Sequence, residues 1–348
     1  MKTIHTIYYD DSKRMTALSD DSVELMITSP PYPMIEMWDD IFSKQNGDIK
    51  NALDNQDGNL AFNLMHEELD KVWEEVSRVL IPGGIACVNI GDATRTIGKI
   101  FRLYPSHARI IESFQKLGHQ SLPGIIWRKP TNAPNKFMGS GMLPPGAYVT
   151  LEHEHILIFR KGDKREFKNK SNKENRQESS YFWEERNKWF SDIWELKGEK
   201  QSLKKKENGR NRSAAFPFEL VSRLINMFST KEDVILDPFL GTGTTTLAAM
   251  TTCRNSIGYE IDKNLESTIH EKVKSVVQVG TSMIEERIYN HEKFIKEREK
   301  TKPIKYMNAH YKFPVITSQE QNLFLNIPKK LMKVNETEYS VIYDKIEK

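Results

Sequence analysis

The chain has 348 residues, 38% of them hydrophobic, and a net charge of +3. That length suits one large α/β domain with an insertion, or two modest domains. No apolar run approaches the ~20 residues of a membrane span, Met1–Asp10 lacks a signal-peptide core, and two cysteines, Cys87 and Cys253, are too few for a disulfide framework or a cysteine zinc site, so a cytoplasmic protein is expected.

In chain order, Ile4–Tyr9 and Val23–Ile27 read as the first two strands. Phe62, Met65, Leu69, Val72, Val76 and Val79 recur at three- and four-residue spacing, one apolar face of a helix that Pro82-Gly83-Gly84 stops. Ile85–Ile90 is the third strand. A helix over His107–Leu117 follows, with Ile110, Ile111, Phe114 and Leu117 inward. Leu122–Trp127 and His155–Phe159 are further strands, and Pro130 to Gly146 between them holds seven Pro or Gly residues and reads as a loop. Pro217 suits the first turn of a helix carrying Leu220, Val221, Leu224, Ile225 and Phe228. Val234–Asp237 and Ser256–Glu260 complete seven strands. Met283 to Lys300 is helical in pattern, inside a charge-rich tail. Strands alternating with helices imply a largely parallel sheet covered on both faces.

Charge is uneven along the chain. Arg160 to Arg212 carries 17 Lys/Arg against 10 Asp/Glu, which suggests a polyanion contact, although a solvated loop has the same charge pattern. Tyr181, Phe182, Trp183, Trp189, Phe190 and Trp194 crowd its middle. Disordered segments are poor in aromatics, so a small inserted module with its own minor core is expected. Glu36 to Glu75 is the counterpart, with 11 acidic and 3 basic residues.

Two segments carry chemistry. In Asp237-Pro238-Phe239-Leu240-Gly241-Thr242-Gly243-Thr244-Thr245, Asp237 ends a strand, the glycines allow a tight turn, and Thr244 to Thr251 opens a helix. Such a turn lets a ligand approach the backbone, and the helix N-terminus favours a negative group. Thr246 stands where the full dinucleotide fingerprint needs glycine, which argues against a nicotinamide dehydrogenase. Glu260, 19 residues after Gly241, ends the next strand, where an acid can accept from a ribose diol. An adenosine-containing cofactor is the reading; an ordinary βαβ turn is the alternative.

The second segment is Ser29-Pro30-Pro31-Tyr32. Its prolines stiffen the backbone and remove two N–H groups. Ser29 offers a hydroxyl acceptor, the Pro30 carbonyl another, and Tyr32 a flat face. The set suits a planar ring bearing an NH2 group; a rigid turn with a core tyrosine is the alternative. His153 and His155 alternate on a strand and share a face, but no further metal ligands stand at suitable spacing, so no metal is expected.

Taken together, the chain resembles the S-adenosylmethionine-dependent DNA amino-methyltransferases. Ser29–Tyr32 is similar to that family's catalytic motif, and Asp237–Gly243 to its cofactor motif. Ala215-Phe216-Pro217 and Asp11-Ser12 are similar to flanking segments. The catalytic motif comes first, as in the permuted β group, and Ser-Pro-Pro-Tyr is the form most typical of cytosine-N4 enzymes. The resemblance implies a Rossmann-like, seven-stranded, circularly permuted α/β methyltransferase sheet over residues 1–160 and 213–280. It also implies an inserted target-recognition region at 161–212, with a charged extension at 281–348. The strands ending at Tyr9, Glu260, Asp237 and Ile27 would be neighbours. The implied reaction is methyl transfer from S-adenosyl-L-methionine to N4 of a flipped cytosine in double-stranded DNA, beside a cognate restriction endonuclease. Adenine-N6 transfer is the rival, and a non-catalytic DNA-binding module the more distant one.

Roles follow by the same resemblance. Ser29, Pro30, Pro31 and Tyr32 hold the base. Glu260 binds the ribose, Asp11 (or Asp10) the adenine amine, and Phe239, Gly241 and Gly243 the methionine part. Asp237 orients the loop, Thr244 and Thr245 add hydrogen bonds, and Phe216 and Pro217 wall the pocket.

Overall fold

The computed structural model of the chain describes residues 1–129, 138–198 and 216–345. Its strands are β1 (Lys2–Tyr8), β2 (Val23–Thr28), β3 (Leu80–Ile90), β4 (Ala93–Ile97), β5 (Ile100–Tyr104), β6 (His119–Arg128), β7 (Met138–Gly139), β8 (Ala147–Tyr148), β9 (His153–Lys161), β10 (Ile193–Glu195), β11 (Val234–Asp237), β12 (Asn255–Tyr259), β13 (Tyr306–Met307), β14 (Pro314–Val315), β15 (Asn326–Lys333) and β16 (Glu338–Lys345). The helices are α1 (Asp39–Gln45), α2 (Gly47–Asp54), α3 (Gly58–Val79), α4 (Ser106–Lys116), α5 (Lys170–Glu178), α6 (Trp183–Trp189), α7 (Phe218–Phe228), α8 (Thr244–Thr251), α9 (Glu266–Lys274) and α10 (Val276–Glu299).

One sheet runs β10-β6-β9-β3-β2-β11-β12-β1-β16-β15. β3, β2, β11, β12 and β1 are parallel, and β9 lies antiparallel between β3 and β6. All seven expected strands therefore form one Rossmann-like core from β6 to β1. Its order is permuted: β1 and β2 open the chain yet flank β11 and β12 from its far end. The seven-strand expectation undercounts the sheet, because β10 extends one edge and the β15–β16 hairpin the other. Tyr339, Val341 and Tyr343 of β16 point into the core. The Tyr343 hydroxyl donates to the Met250 carbonyl at 2.6 Å and bonds the Thr3 hydroxyl at 2.8 Å. The charged tail thus covers the open edge of β1, which would otherwise expose unpaired backbone groups.

α3 and α4 cover one face, where Trp73, Val76, Phe114 and Phe159 pack; Leu25 and Ile27 meet Leu220 and Leu224 of α7 on the other. Asp57 caps α3 by accepting from the Leu60 amide at 2.9 Å. Pro82-Gly83-Gly84 does not stop this helix. The backbone turns extended at Leu80, and those residues lie within β3 where its register against β2 shifts.

Among its described residues the inserted module has no separate core. Phe182 packs with Ile284, Ile288, Tyr311 and Phe313 of the tail, while Trp194 joins the sheet core. The Arg287 guanidinium, half-buried in the joint, is clamped by Glu185 at 2.6 and 2.8 Å. The module starts at the amino edge of the sheet, where Arg165 pairs with Asp233. It then follows α7, with Phe190 against Phe228, and returns at the carboxyl edge with β10. Residues 199–212, its lysine-rich end, and 130–137 of the Pro/Gly loop lie outside the described residues. Among the described residues no helix is long and apolar enough to cross a membrane.

Candidate active site

Four parallel strands deliver the candidate residues to one edge. Ser29 follows β2, Phe239–Gly243 follow β11, Glu260 follows β12, and Asp10-Asp11 follow β1. This is the carboxyl edge, where open α/β sheets bind ligands.

Asp237 ties the two motifs together. Its carboxylate is buried; Oδ1 accepts from the Thr28 hydroxyl at 2.7 Å and the Phe239 amide at 3.1 Å, and Oδ2 accepts from the Thr245 hydroxyl at 2.5 Å. Burial pushes the carboxyl up to about 6, against the opposing pull of those three donors. Thr245 therefore braces the loop. Thr244 is likewise engaged within the protein, since Lys272 donates to its hydroxyl and to that of Thr242, each at 2.8 Å.

The glycines are needed for their backbone angles. Gly241 has φ +57° and Gly243, which precedes α8, has φ +84°. A Cβ on Gly243 would meet Ile269 at 3.1 Å, whereas one on Gly241 would meet nothing nearer than 3.9 Å. The loop backbone is thus bare beside the crevice and ends at a helix N-terminus, a fit for an adenosine-linked cofactor. Glu260 is already oriented: the Gly241 and Asp262 amides each donate to its carboxylate at 2.8 Å. Phe239 rests edge-on against Trp73, with ring centroids 6.0 Å apart. Asp11 accepts from the Lys13 amide at 3.0 Å, while the Lys13 ammonium goes to Glu68 at 2.6 Å. Asp10 accepts from the Asp11 amide at 2.8 Å. Pro217 is the cap residue of α7, just ahead of the helix, and Phe216 packs in the sheet core with Leu25 and Trp194; Ala215 lies outside the described residues.

Pro30 is buried and Pro31 half-buried. Ser29 and Tyr32 join a network that the motif alone does not disclose. Their hydroxyls are 3.1 Å apart, and the Tyr32 hydroxyl donates to Glu154 at 2.8 Å. Asn89 donates to Glu154 at 2.6 Å and to the Tyr32 oxygen at 2.9 Å. Lys129 pairs with the other oxygen of Glu154. Burial, then the Glu154 charge, raises the Tyr32 phenol well above its usual range, so it stays protonated. Alternation along β9 gives His153 and His155 one face and Glu154 the other. Only the pairing of β9 with β3 brings Glu154 to Tyr32, and sequence does not supply that pairing.

On the opposite face, Asp92, His107 and His155 offer possible ligand atoms within 4.8 Å of one another. His107 donates Nδ1–H to Asp92 at 2.7 Å, and its ring stacks on His155 with centroids 4.2 Å apart and planes 20° apart. Parallel stacking sets the in-plane lone pairs side by side instead of converging on one point. Part of the acid-rich stretch is held in ion pairs: Asp39 with Arg95, Glu68 with Lys13 and Lys71, Asp70 with Arg109, and Glu75 with Arg78.

A permuted Rossmann-like sheet, with a glycine loop and a Ser-Pro-Pro-Tyr turn bonded through Thr28 and Asp237, defines a methyltransferase architecture. The N6_N4_Mtase family model, described as DNA methylase, matches residues 23–271, and the chain belongs to that family. It is 52% identical over 348 residues to the type II methyltransferase M.MthZI of Methanothermobacter thermautotrophicus, covering 99% of this chain and 97% of that protein. It is 54% identical over 282 residues to the type II methyltransferase M.MjaI of Methanocaldococcus jannaschii, covering 78% and 91%. A candidate DNA modification methylase of Thermus thermophilus, solved with S-adenosyl-L-methionine, superposes with a TM-score of 0.59 at 31% identity over 78% of this chain and 96% of that one. The cytosine-N4-specific PvuII DNA methyltransferase shares the fold at 16% identity, with a TM-score of 0.52 over 78% and 90%.

Proposed function

We propose that this chain is the methylating half of a type II restriction–modification pair, transferring a methyl group from S-adenosyl-L-methionine to N4 of a flipped cytosine in double-stranded DNA. The observation that carries this reading is Ser29 at the end of β2, next to the strand that leads into the glycine loop. The cofactor supplies an electrophilic methyl group. Glu260 would hold its ribose, Asp11 its adenine amine, and the bare backbone at Gly241 and Gly243 its methionine part, with Phe216 and Pro217 walling the crevice.

The target amine is a weak nucleophile because its lone pair is delocalised into the ring. Ser29 and the Pro30 carbonyl accept its two N–H groups and draw the lone pair out of conjugation, toward the methyl carbon. Tyr32 stacks on the ring. Methyl transfer would leave the donor as a neutral thioether, and the proton lost by the methylated amine would pass to solvent water. Positioning and electrostatic alignment supply the catalysis. The base must leave the duplex to reach this crevice. Adenine N6 presents the same amine to the same acceptors, and Ser29 in the first motif position is what favours cytosine.

The DNA-facing elements follow from the carboxyl edge. The β7–β8 hairpin comes between β6 and β9 in the chain, and β10 of the 161–212 target-recognition region ends at the same edge. Lys and Arg would hold phosphates there, and polar side chains would read base edges. A restriction endonuclease acting on the same site would be its functional partner. Incubating protein, DNA and S-adenosyl-L-methionine and resolving the nucleosides by mass spectrometry tests the reading. N4-methylcytosine is expected. N6-methyladenine alone would replace cytosine by adenine, and no methylated base would end the assignment.

A further inference from the structure

We propose that Glu154 is a positioning residue that sets the direction of every hydrogen bond at Ser29, so that the Ser29 oxygen faces the crevice as an acceptor. The inference rests on the functional reading above and concerns how the same site selects an exocyclic amine.

The reasoning is donor counting. An ionised carboxylate only accepts. The single Tyr32 O–H therefore points at Glu154, 2.8 Å away, and the high phenol pKa keeps that proton in place. Asn89 also donates, to Glu154 at 2.6 Å and to the Tyr32 oxygen at 2.9 Å, with the Ser29 oxygen a longer third acceptor at 3.4 Å. Its amide orientation follows, because the flipped form would set its carbonyl against the carboxylate. The Tyr32 oxygen is left able only to accept, so across the 3.1 Å contact Ser29 must be the donor. Ser29 has one proton, and it is spent there. One lone pair faces the Asn89 amide at 3.4 Å, and toward the crevice Ser29 presents the other. That polarity receives an N–H from cytosine or adenine and repels the carbonyl of uracil or thymine.

Two further features serve the arrangement. Lys129 pairs with Glu154 and lies 4.4 Å from the centre of the Trp127 ring, so its ammonium fixes the position of the carboxylate beside Tyr32. Gly91 follows β3 directly beneath the pair. A Cβ there would come within 3.0 Å of the Tyr32 ring and 3.3 Å of Glu154, so any larger residue would displace the two side chains by a few tenths of an ångström.

Glu154→Gln keeps the shape but adds a donor. The amide can then donate to the Tyr32 oxygen and reverse the chain, turning Ser29 into a donor toward the crevice. Single-turnover methyl transfer should fall by about 10²-fold, the scale for losing one aligned polar group, with S-adenosyl-L-methionine affinity unchanged. Binding of DNA carrying uracil at the target position should move closer to binding of the cytosine duplex. In a Tyr32→Phe background, which cuts the link, Glu154→Gln should add little. A merely structural Glu154 would cost the same in both backgrounds, and that result, or wild-type transfer by Glu154→Gln, would overturn the proposal. Transfer is counted at either base, so only a silent wild-type protein would indict the functional reading itself.

Discussion

Thr28 donates its hydroxyl to Asp237 across 2.7 Å, so the residue before the Ser-Pro-Pro-Tyr turn is bonded to the residue that starts the glycine loop. The two motifs are thereby one mechanical unit, although most of the chain separates them. The bond also places a carboxylate where water cannot reach it, with consequences for stability.

Burial lifts the Asp237 carboxyl from 3.8 to about 6 in the folded protein. Between those values the folded chain binds more protons than the unfolded one, so raising the pH through that window removes stability. Asp237→Asn has no proton to lose. The stability of Asp237→Asn relative to wild type should therefore rise between about pH 4 and about pH 6, by on the order of 2–3 kcal/mol. It should do so even if the lost acceptor for Thr28 and Thr245 lowers the variant at every pH. Urea unfolding of both proteins across the window measures the difference; a flat difference would contradict the buried charge.

Gly241 and Gly243 differ in what surrounds them, and alanine should separate them. At Gly243 the φ of +84° and the Ile269 contact at 3.1 Å both oppose a side chain. Gly243→Ala should lose about 1–2 kcal/mol from the backbone alone and more if Ile269 cannot shift. Gly241→Ala meets no neighbour inside 3.9 Å, so its stability loss should be the smaller. Its Cβ would instead occupy the crevice, and cofactor affinity should fall more than stability. Denaturation curves and calorimetric titration with S-adenosyl-L-methionine read the two effects apart. The same stability loss in both variants, with equal cofactor binding, would refute the assignment.

Glu260 is fixed by two backbone donors at 2.8 Å before any ligand arrives. A pre-oriented carboxylate loses little entropy on accepting ribose hydroxyls. Hydrogen bonds to a charged group contribute about 1.5–3 kcal/mol, so Glu260→Ala should weaken S-adenosyl-L-methionine about 10- to 100-fold. An analogue lacking both ribose hydroxyls should bind wild type and variant alike. A variant that discriminates against the analogue as strongly as wild type would place the ribose elsewhere.

Which parts of the molecule were legible follows from the range of the signal. The glycine loop, Glu260 and the Ser29–Tyr32 turn are local patterns at strand ends, and the periodicity of α3 or α7 is carried by consecutive turns. Thr28, Asn89 and Glu154 are ordinary polar residues until the β3–β9 and β2–β11 pairings set them beside Tyr32 and Asp237. The β15–β16 hairpin escaped for a different reason. Lys329, Lys330 and Lys333 lie on its exposed outer strand and mask the inward alternation of Tyr339, Val341 and Tyr343. Phe182 read as a module's own core because its partners, Tyr311 and Phe313, come from over a hundred residues later.

Met142 and Leu143 form the last point of test. They sit in the turn between β7 and β8, 85% and 71% exposed, an unusual position for two large apolar side chains in succession. The tip is shaped by its own hydrogen bonds, the Ser140 amide donating to the Gly146 carbonyl at 2.9 Å and the Ser140 hydroxyl to the Leu143 carbonyl at 2.5 Å. Tyr148, just beyond, stacks on Phe101 of the β4–β5 hairpin with centroids 4.4 Å apart. An apolar wedge on a supported loop suits insertion between base steps, where it can occupy the space a flipped base vacates. Replacing both residues by serine should weaken DNA binding about tenfold and reduce the fluorescence rise of 2-aminopurine at the target position. Cofactor affinity should not change. No charge is removed, so the slope of affinity against salt should stay that of wild type. A steeper or shallower slope would mean that the tip acts through phosphate contacts, and an unchanged 2-aminopurine signal would mean that it does not enter the stack.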